Sequence, residues 1–447
     1  HPPCKRKVRG SIPRGGIFFF MQYETSCYEA LCRHMYVNWA LLFDRVVELE
    51  RIVEALTQTH AKHPYLRCQI KEGAKFGEMT LIEKDSLTPV VIAKEGKVTR
   101  ESVNRYLEEC ATLFENDLSI VDTVHYTYYS DKCRSALIGC FCHSCADANS
   151  ALHVASDVLT FLDAPILPAP ASLPFLSVQK EIILDESETH AARYADQTLP
   201  VWVAPTRLRE GDASIQPFYR TKQLLLSPDT MNSFLGACRS HDCAFQSFLW
   251  TSVALAQMRL FHRSLPVSLR FGTPVTTIGR ATFRHPISRD DLVVGAFSVF
   301  VQKELQGDDS FWSLCKQLHD ALKEEIRLGK QMNDFFAVCR DLDFKQLPPA
   351  SFNACTLGTT DLKRQYKHFS LDGLYLLPGA TRSPQMGGMN LHAFTVPEMG
   401  CLLNLTYCYP FFSPSDVDVY AADIRRVMDM VVSRDPSLQS VADQLSG

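Results

Sequence analysis

His143 and Asp147 are the residues whose types and spacing could do chemistry in this chain. They stand four apart in Cys140-Phe141-Cys142-His143-Ser144-Cys145-Ala146-Asp147-Ala148-Asn149-Ser150. An imidazole, with a reference pKa of about 6.5, is the side chain best matched to accept a proton near neutral pH. The carboxylate could orient that ring or fix the loop that carries it. The same stretch admits a second chemistry, because Cys140, Cys142, His143, Cys145 and His153 are soft-metal ligand types. Against it, Cys140 and Cys142 alternate along an apolar run as buried strand residues do, and no second Cys-x-x-Cys pair accompanies them. A third reading is a packed or solvated histidine at a strand end. The spacing alone does not choose among the three, and no metal is expected.

The flanking elements make the position suited to a general base. Residues 135–142 form an almost wholly apolar run of strand length, as a strand buried on both faces would. The run ends at His143. Downstream, Ala151, Leu152, Ala155, Val158, Leu159 and Leu162 recur at helical spacing, with Asp147, Asn149 or Ser150 available to cap the helix start. A loop held between a strand and a helix delivers its side chain to a fixed place.

Composition narrows the class. The chain has 447 residues, more than one ordinary core accommodates, so two domains are expected. Hydrophobic residues make up 46% and charged residues 21%, as in a soluble globular protein. The net charge is −4 and the sequence pI about 6.4, without a basic stripe, which argues against nucleic acid as a partner. No apolar run approaches the roughly 20 residues of a membrane span. Sixteen cysteines are scattered through the chain, many in apolar runs, and read as reduced small hydrophobes. A cytoplasmic location follows as an expectation. The chain opens on His1 rather than Met, which reads as a start from which something has been removed.

Along the chain, strands are expected over 36–43, 65–70, 79–82, 90–92, 124–129 and 136–142. Helices are expected from Val46 to His60, stopped by Pro64, and from Val103 to Phe114. Prolines 165, 168, 170, 174, 200 and 205 mark an extended linker. The domains are therefore placed at 1–175 and 216–447 with a crossover over 176–215. In the second half, strands are expected over 220–226, over 267–275 with breaks at Gly272 and Pro274, and over 293–301, 352–358 and 400–409. A helix is expected over 244–258, and Ser413 caps a last one reaching Met430. Asn404-Leu405-Thr406 fits a glycosylation sequon, but its apolar strand argues against that use.

His143-x-x-x-Asp147 resembles the active-site motif of the CoA-dependent acyltransferase superfamily. The resemblance extends along most of the chain. A helix, then His63-Pro64-x-Leu66-Arg67, then a strand is similar to the opening of the condensation-domain and alcohol-acetyltransferase branches. Phe114-Glu115-Asn116-Asp117-Leu118 looks like their linker before the motif strands. Gly272-Thr273-Pro274-Val275, Gly279-Arg280 and Val294-Gly295-Ala296-Phe297 look like their C-terminal domain, and Phe352-Asn353-Ala354-Cys355-Thr356-Leu357-Gly358 is similar to a Ser-Asn-x-Gly segment of these branches.

The resemblance implies an α/β (α+β) fold of two chloramphenicol-acetyltransferase-like domains with a tunnel between them, its mouths admitting an acyl-thioester and an acceptor. It implies His143 as general base in direct transfer from acyl-CoA, a co-substrate and the only cofactor-like group, to a hydroxyl or amine of a small molecule. Asp147 would turn away and pair with Arg280, and Ser298 and Thr356 are candidates for the oxyanion, each equally readable as a strand hydroxyl bonded to backbone. A monomer is expected. The departures are Ala148 for the usual glycine, Cys142 for the first histidine of condensation domains, and Gln385-Met386-Gly387-Gly388-Met389 where plant BAHD enzymes carry Asp-Phe-Gly-Trp-Gly. Two rival readings are a transferase fed by a carrier protein's phosphopantetheine arm and a non-catalytic member binding a ligand or partner.

Overall fold

A computed structural model describes residues 22–24, 32, 35–73, 79–84, 86–111, 120–164, 171–173, 218–276, 291–328, 351–380 and 389–446. The chain divides into two compact units, one of residues 1–185, 277–295 and 364–381, the other of residues 186–276, 296–363 and 382–447. Neither unit is contiguous. Two returning segments of the second half fold with the first, which the expected boundaries of 1–175 and 216–447 did not include. The expected crossover over 176–215, with its prolines, lies outside the described residues.

In the first unit the order is β1 (Gln22–Glu24), β2 (Met35–Phe43), α1 (Leu49–Lys62), a 3-10 turn (Pro64–Arg67), β3 (Cys68–Glu72), β4 (Met79–Glu83), β5 (Val91–Glu95), α2 (Arg100–Ala111), β6 (Ile120–Asp122), β7 (Val124–Ser130), β8 (Ser135–Cys142) and α3 (Ala148–Asp163). Strand β8 is buried along its whole length and pairs antiparallel with β2 on one side and β7 on the other. That central place accounts for its unbroken apolar sequence. Gly139 lies opposite Trp39, and a Cβ there would stand 2.8 Å from Trp39 Cζ2 and 2.9 Å from Phe141 Cε2. The glycine makes room for the indole. Helix α1 packs on α3, and α2 on β2 and β8.

Two expectations in this half are corrected. The strand expected from Tyr65 begins only at Cys68, because Arg67 turns back to donate from Nη1 to the His60 carbonyl (2.6 Å), one of those left open where α1 ends, and from Nε to Glu83 (2.7 Å). Helix α2 starts at Arg100 rather than Val103: Thr99 Oγ1 accepts from the Ser102 N–H (3.2 Å) while Ser102 Oγ accepts from the Thr99 N–H (2.8 Å), a reciprocal cap. The Phe114-to-Leu118 segment is outside the described residues.

The second unit runs β9 (Phe218–Leu226), α4 (Pro228–Ser240), α5 (Phe245–Leu260), β10 (Val267–Thr276), β11 (Ala296–Leu305), α6 (Phe311–Arg327) and β12 (Phe352–Thr359). The chain then returns β13 (Leu371–Ala380) to the first unit before β14 (Met389–Val396), β15 (Gly400–Tyr409), α7 (Pro414–Val431) and α8 (Leu438–Ser446). Its sheet has the order β11-β10-β12-β14-β15-β9, and β13 extends the first unit's sheet to β13-β2-β8-β7-β5. Helix α5 is apolar nearly all round because it is the centre of the second core, anchored by Trp250 Nε1 to the Ala354 carbonyl (2.9 Å) and by Gln257 Nε2 to that of Ser351 (2.8 Å).

Strand β10 does not break at Gly272 and Pro274 as expected, but pairs with β11 along its length. Its pairing with β12 covers only Phe271 and Gly272, so Pro274, which has no N–H to give, lies past that ladder. The strand expected from Val293 starts at Ala296, since 293–295 bonds to the start of α3 instead. Asn404 is fully buried, which closes the sequon reading.

Candidate active site

His143 is the first residue past β8. Its N–H donates to the Met35 carbonyl of β2 at 2.9 Å, the Cys142 N–H to the Thr123 carbonyl at 3.0 Å, and the Cys145 N–H back to Cys142 at 3.0 Å. Neighbouring chain thus holds the backbone of the candidate base on both sides, and a tight turn follows.

His143 is partly exposed, whereas Cys142, Ser144, Cys145, Ala146 and Asp147 around it are buried. Nδ1 is shut in and makes no hydrogen bond of ordinary geometry. Surrounding protein pushes the imidazole pKa below its usual value, opposed by its own backbone carbonyl and by the Asp147 carboxylate. The consequence is a neutral ring at neutral pH.

Asp147, 2% exposed, is the N-cap of α3: Oδ1 accepts from the Ser150 N–H at 2.9 Å. Its Oδ2 accepts from the Gly295 N–H at 3.2 Å, and its own N–H donates to the Val293 carbonyl at 3.3 Å. Ser150 completes the clamp, its hydroxyl donating to the Val293 carbonyl (2.9 Å) and accepting from the Val293 N–H (3.2 Å). Burial raises the Asp147 pKa, and the Ser150 N–H, His143 and the Gly295 N–H pull it back. The carboxylate therefore ties the histidine loop to 293–295. Its expected partner Arg280 lies outside the described residues.

Ser298 and Thr356 belong to the second unit. The Thr356 N–H and hydroxyl both donate to Gln246 Oε1, at 2.8 and 3.1 Å, so its one hydroxyl proton is engaged within that unit. Ser298, partly exposed, stands opposite Pro274 on β11.

Sequence reasoning missed the partners Met35, Val293 and Gly295, and with them a polar band. Cross-strand register aligns Asn353, Asn390, Thr406 and Thr221 in one row of the second sheet and Cys355, His392, Asn404 and Gln223 in the next, on the face Ser298 shares. Thr406 Oγ1 and Asn404 Nδ2 are buried there with no hydrogen-bond partner among the described residues. The signal was present as Asn and Thr at period two inside apolar strands. Among the described residues no three His, Cys, Asp or Glu side chains converge as metal ligands would, and Cys140 instead meets the thiol of Cys110. Nor is any described helix long and apolar enough to cross a membrane.

No protein-family model and no curated protein matches the sequence. Solved structures match in fold. TRI3 trichothecene 15-O-acetyltransferase from Fusarium sporotrichioides superposes with a TM-score of 0.68 at 13% identity, over 97% of this chain and 100% of that one. The condensation domain of the monacolin K polyketide synthase MokA gives 0.65 at 11% identity, over 93% and 98%. Polyketide synthase associated protein 5 from Mycobacterium tuberculosis gives 0.62 at 13% identity, over 92% and 99%. The chain therefore has the mixed α/β fold of these condensation-domain and acetyltransferase structures.

Proposed function

We propose that this protein is an acyltransferase that moves an acyl group, acetyl or another short chain, from acyl-CoA to a hydroxyl of a small-molecule acceptor, with His143 as general base. The observation that supports the reading is a partly exposed histidine at the end of a buried strand, its ring kept neutral by its surroundings and its Nδ1 shut in. An alcohol ionises far above neutral pH, so its attack on a thioester is slow unless the proton leaves as the C–O bond forms. The imidazole takes that proton, the tetrahedral intermediate collapses with cleavage of the C–S bond, and the imidazolium returns the proton to the departing thiolate. No acyl-enzyme forms. What is required of the rest of the chain is to position two substrates and stabilise one oxyanion.

Incubation with acetyl-CoA and a panel of alcohols, following thiol release, tests this. Wild type is expected to release CoA in the presence of an acceptor, and His143→Ala to do so about 10²- to 10⁴-fold more slowly. Equal rates in the two proteins overturn the assignment of the base. Because condensation domains are among the structural neighbours, a second arm presents the same acyl group on a carrier protein's phosphopantetheine. Transfer from the carrier alone replaces CoA as the donor, and release with neither donor favours the non-catalytic, ligand-binding reading.

A further inference from the structure

Helix α4 ends in a Schellman motif. Asp242 takes a left-handed φ of 51°, the Cys243 N–H donates to the Cys238 carbonyl at 3.0 Å, and the Asp242 N–H donates to that of Arg239 at 3.2 Å. In this motif the third residue before the cap and the second after it bring their side chains together, ordinarily as an apolar contact. Here both positions are cysteines. Their thiols are hydrogen-bonded to each other, and a third, Cys315 of α6, reaches Cys243 as well while its Sγ donates to Thr251 Oγ1 at 3.3 Å. All three are free thiols. Cys238 and Cys315 are buried, at 2% and 0% exposure, and Cys243 is half-buried, so one member of the cluster is open to a reagent and two stand behind it.

We propose that Cys243 is a site of reversible oxidation by peroxide, with Cys238 as its resolving partner. The Cys243 thiolate attacks the O–O bond, giving a sulfenic acid and, after protonation of the departing oxygen, water. The Cys238 thiol then displaces the sulfenic hydroxyl as a second water, so that over the two steps the pair of thiols gives up two electrons and two protons and the peroxide becomes two waters. An added dithiol reverses the bond by exchange. The local environment favours the thiolate: hydrogen bonds from Cys238 and Cys315 hold Cys243 well below the ordinary thiol value against its partial burial, with Ser247 and His319 adding to them. A ring closed between residues five apart removes little chain entropy, so such a bond is no structural staple. The buried Cys110–Cys140 contact offers the contrast of two touching thiols with no exposed member.

Trypsin cuts after Arg239 and so separates Cys238, on the peptide 223–239, from Cys243 on 240–259, with Cys315 on 304–316. After brief treatment with hydrogen peroxide, alkylation of remaining thiols and digestion without reductant, mass spectrometry is expected to find 223–239 joined to 240–259, two hydrogens lighter than their sum. Dithiothreitol should restore both peptides. In Cys238→Ser, dimedone should label Cys243. A link from 240–259 to 304–316 in its place overturns the pairing. Recovery of Cys243 fully alkylated, while exposed Cys133 is oxidised, overturns the site. The wild-type map needs no variant to fold.

Discussion

At the scale of single residues, the candidate site separates a group that moves a proton from one that holds it in place. If His143 is the base, kcat/KM should follow the fraction of neutral imidazole, rising with pH and levelling off below the ordinary value of about 6.5, because burial has already lowered its pKa. An acid limb centred at or above that value contradicts the desolvated ring. Asp147 has the positioning part, with both carboxylate oxygens committed to backbone N–H groups. Asp147→Ala removes a helix cap and strands the Gly295 N–H in the interior, so a loss of about 1–3 kcal/mol is expected, read as a lower urea midpoint along with slower turnover. Asp147→Asn keeps one acceptor and should lose less. An Asp147→Ala protein as stable as wild type would show that the clamp does not hold the loop.

At the scale of elements, β8 carries the histidine, and its fit to β2 decides whether the loop is in register. Gly139→Val would push a branched side chain into the Trp39 indole, which is fully buried and has nowhere to retreat. Overpacking of this kind costs about 1–3 kcal/mol, and thermal unfolding of the purified variant is the check, with an unchanged midpoint showing that the sheet yields at little cost. This strand, with β7, β2 and α3, was legible in the sequence, because a central strand reads as a continuous apolar run and an amphipathic helix repeats every three to four residues. What was not legible depends on partners far along the chain. The Asp147 to Gly295 bond spans 148 positions, and nothing local marks 293–295 as belonging to the start of α3 rather than to β11. Strand β13 was not expected from the sequence, and its pairing with β2 is what assigns it to the first unit. Pro274 misled for the same reason: whether a proline breaks a strand depends on which edge is paired there. His143 and Asp147 were readable because their spacing is local; the polar band of Asn390, His392, Asn404 and Thr406 exists only once the register of separate strands is set.

At the scale of the whole molecule, the histidines whose pKa burial lowers are unevenly shared, and this makes acid the condition that tells the units apart. His60 is 2% exposed, bonded to the Tyr126 hydroxyl at 3.2 Å, and pushed by burial down to about 3. His63, His125 and His143 are lowered as well, each chiefly by burial. All four lie in the first unit; in the second, His319 is lowered. The unfolded chain binds a proton at each of these positions near pH 6.5, the folded chain only at lower pH, so between those values the unfolded state holds more protons and stability rises with pH. The stabilisation is complete above about pH 6.5 and is lost as pH falls, at up to about 1.4 kcal/mol per unit for each such histidine. Asp147, raised by burial, acts in the opposite sense over the carboxylate range, but Asp157, lowered by its bonds to His63 and Lys62 against its burial, sides with the histidines there. Urea midpoints should hold steady above about pH 7 and decline toward pH 5. Hydrogen exchange, corrected for its intrinsic pH dependence, should lose protection first in β2, β8 and α1 and later in α5 and β15. Uniform loss across both units, or a midpoint flat over that range, would mean that the first unit's histidines are solvated in solution, and the neutral state of His143 would lose its physical basis with them.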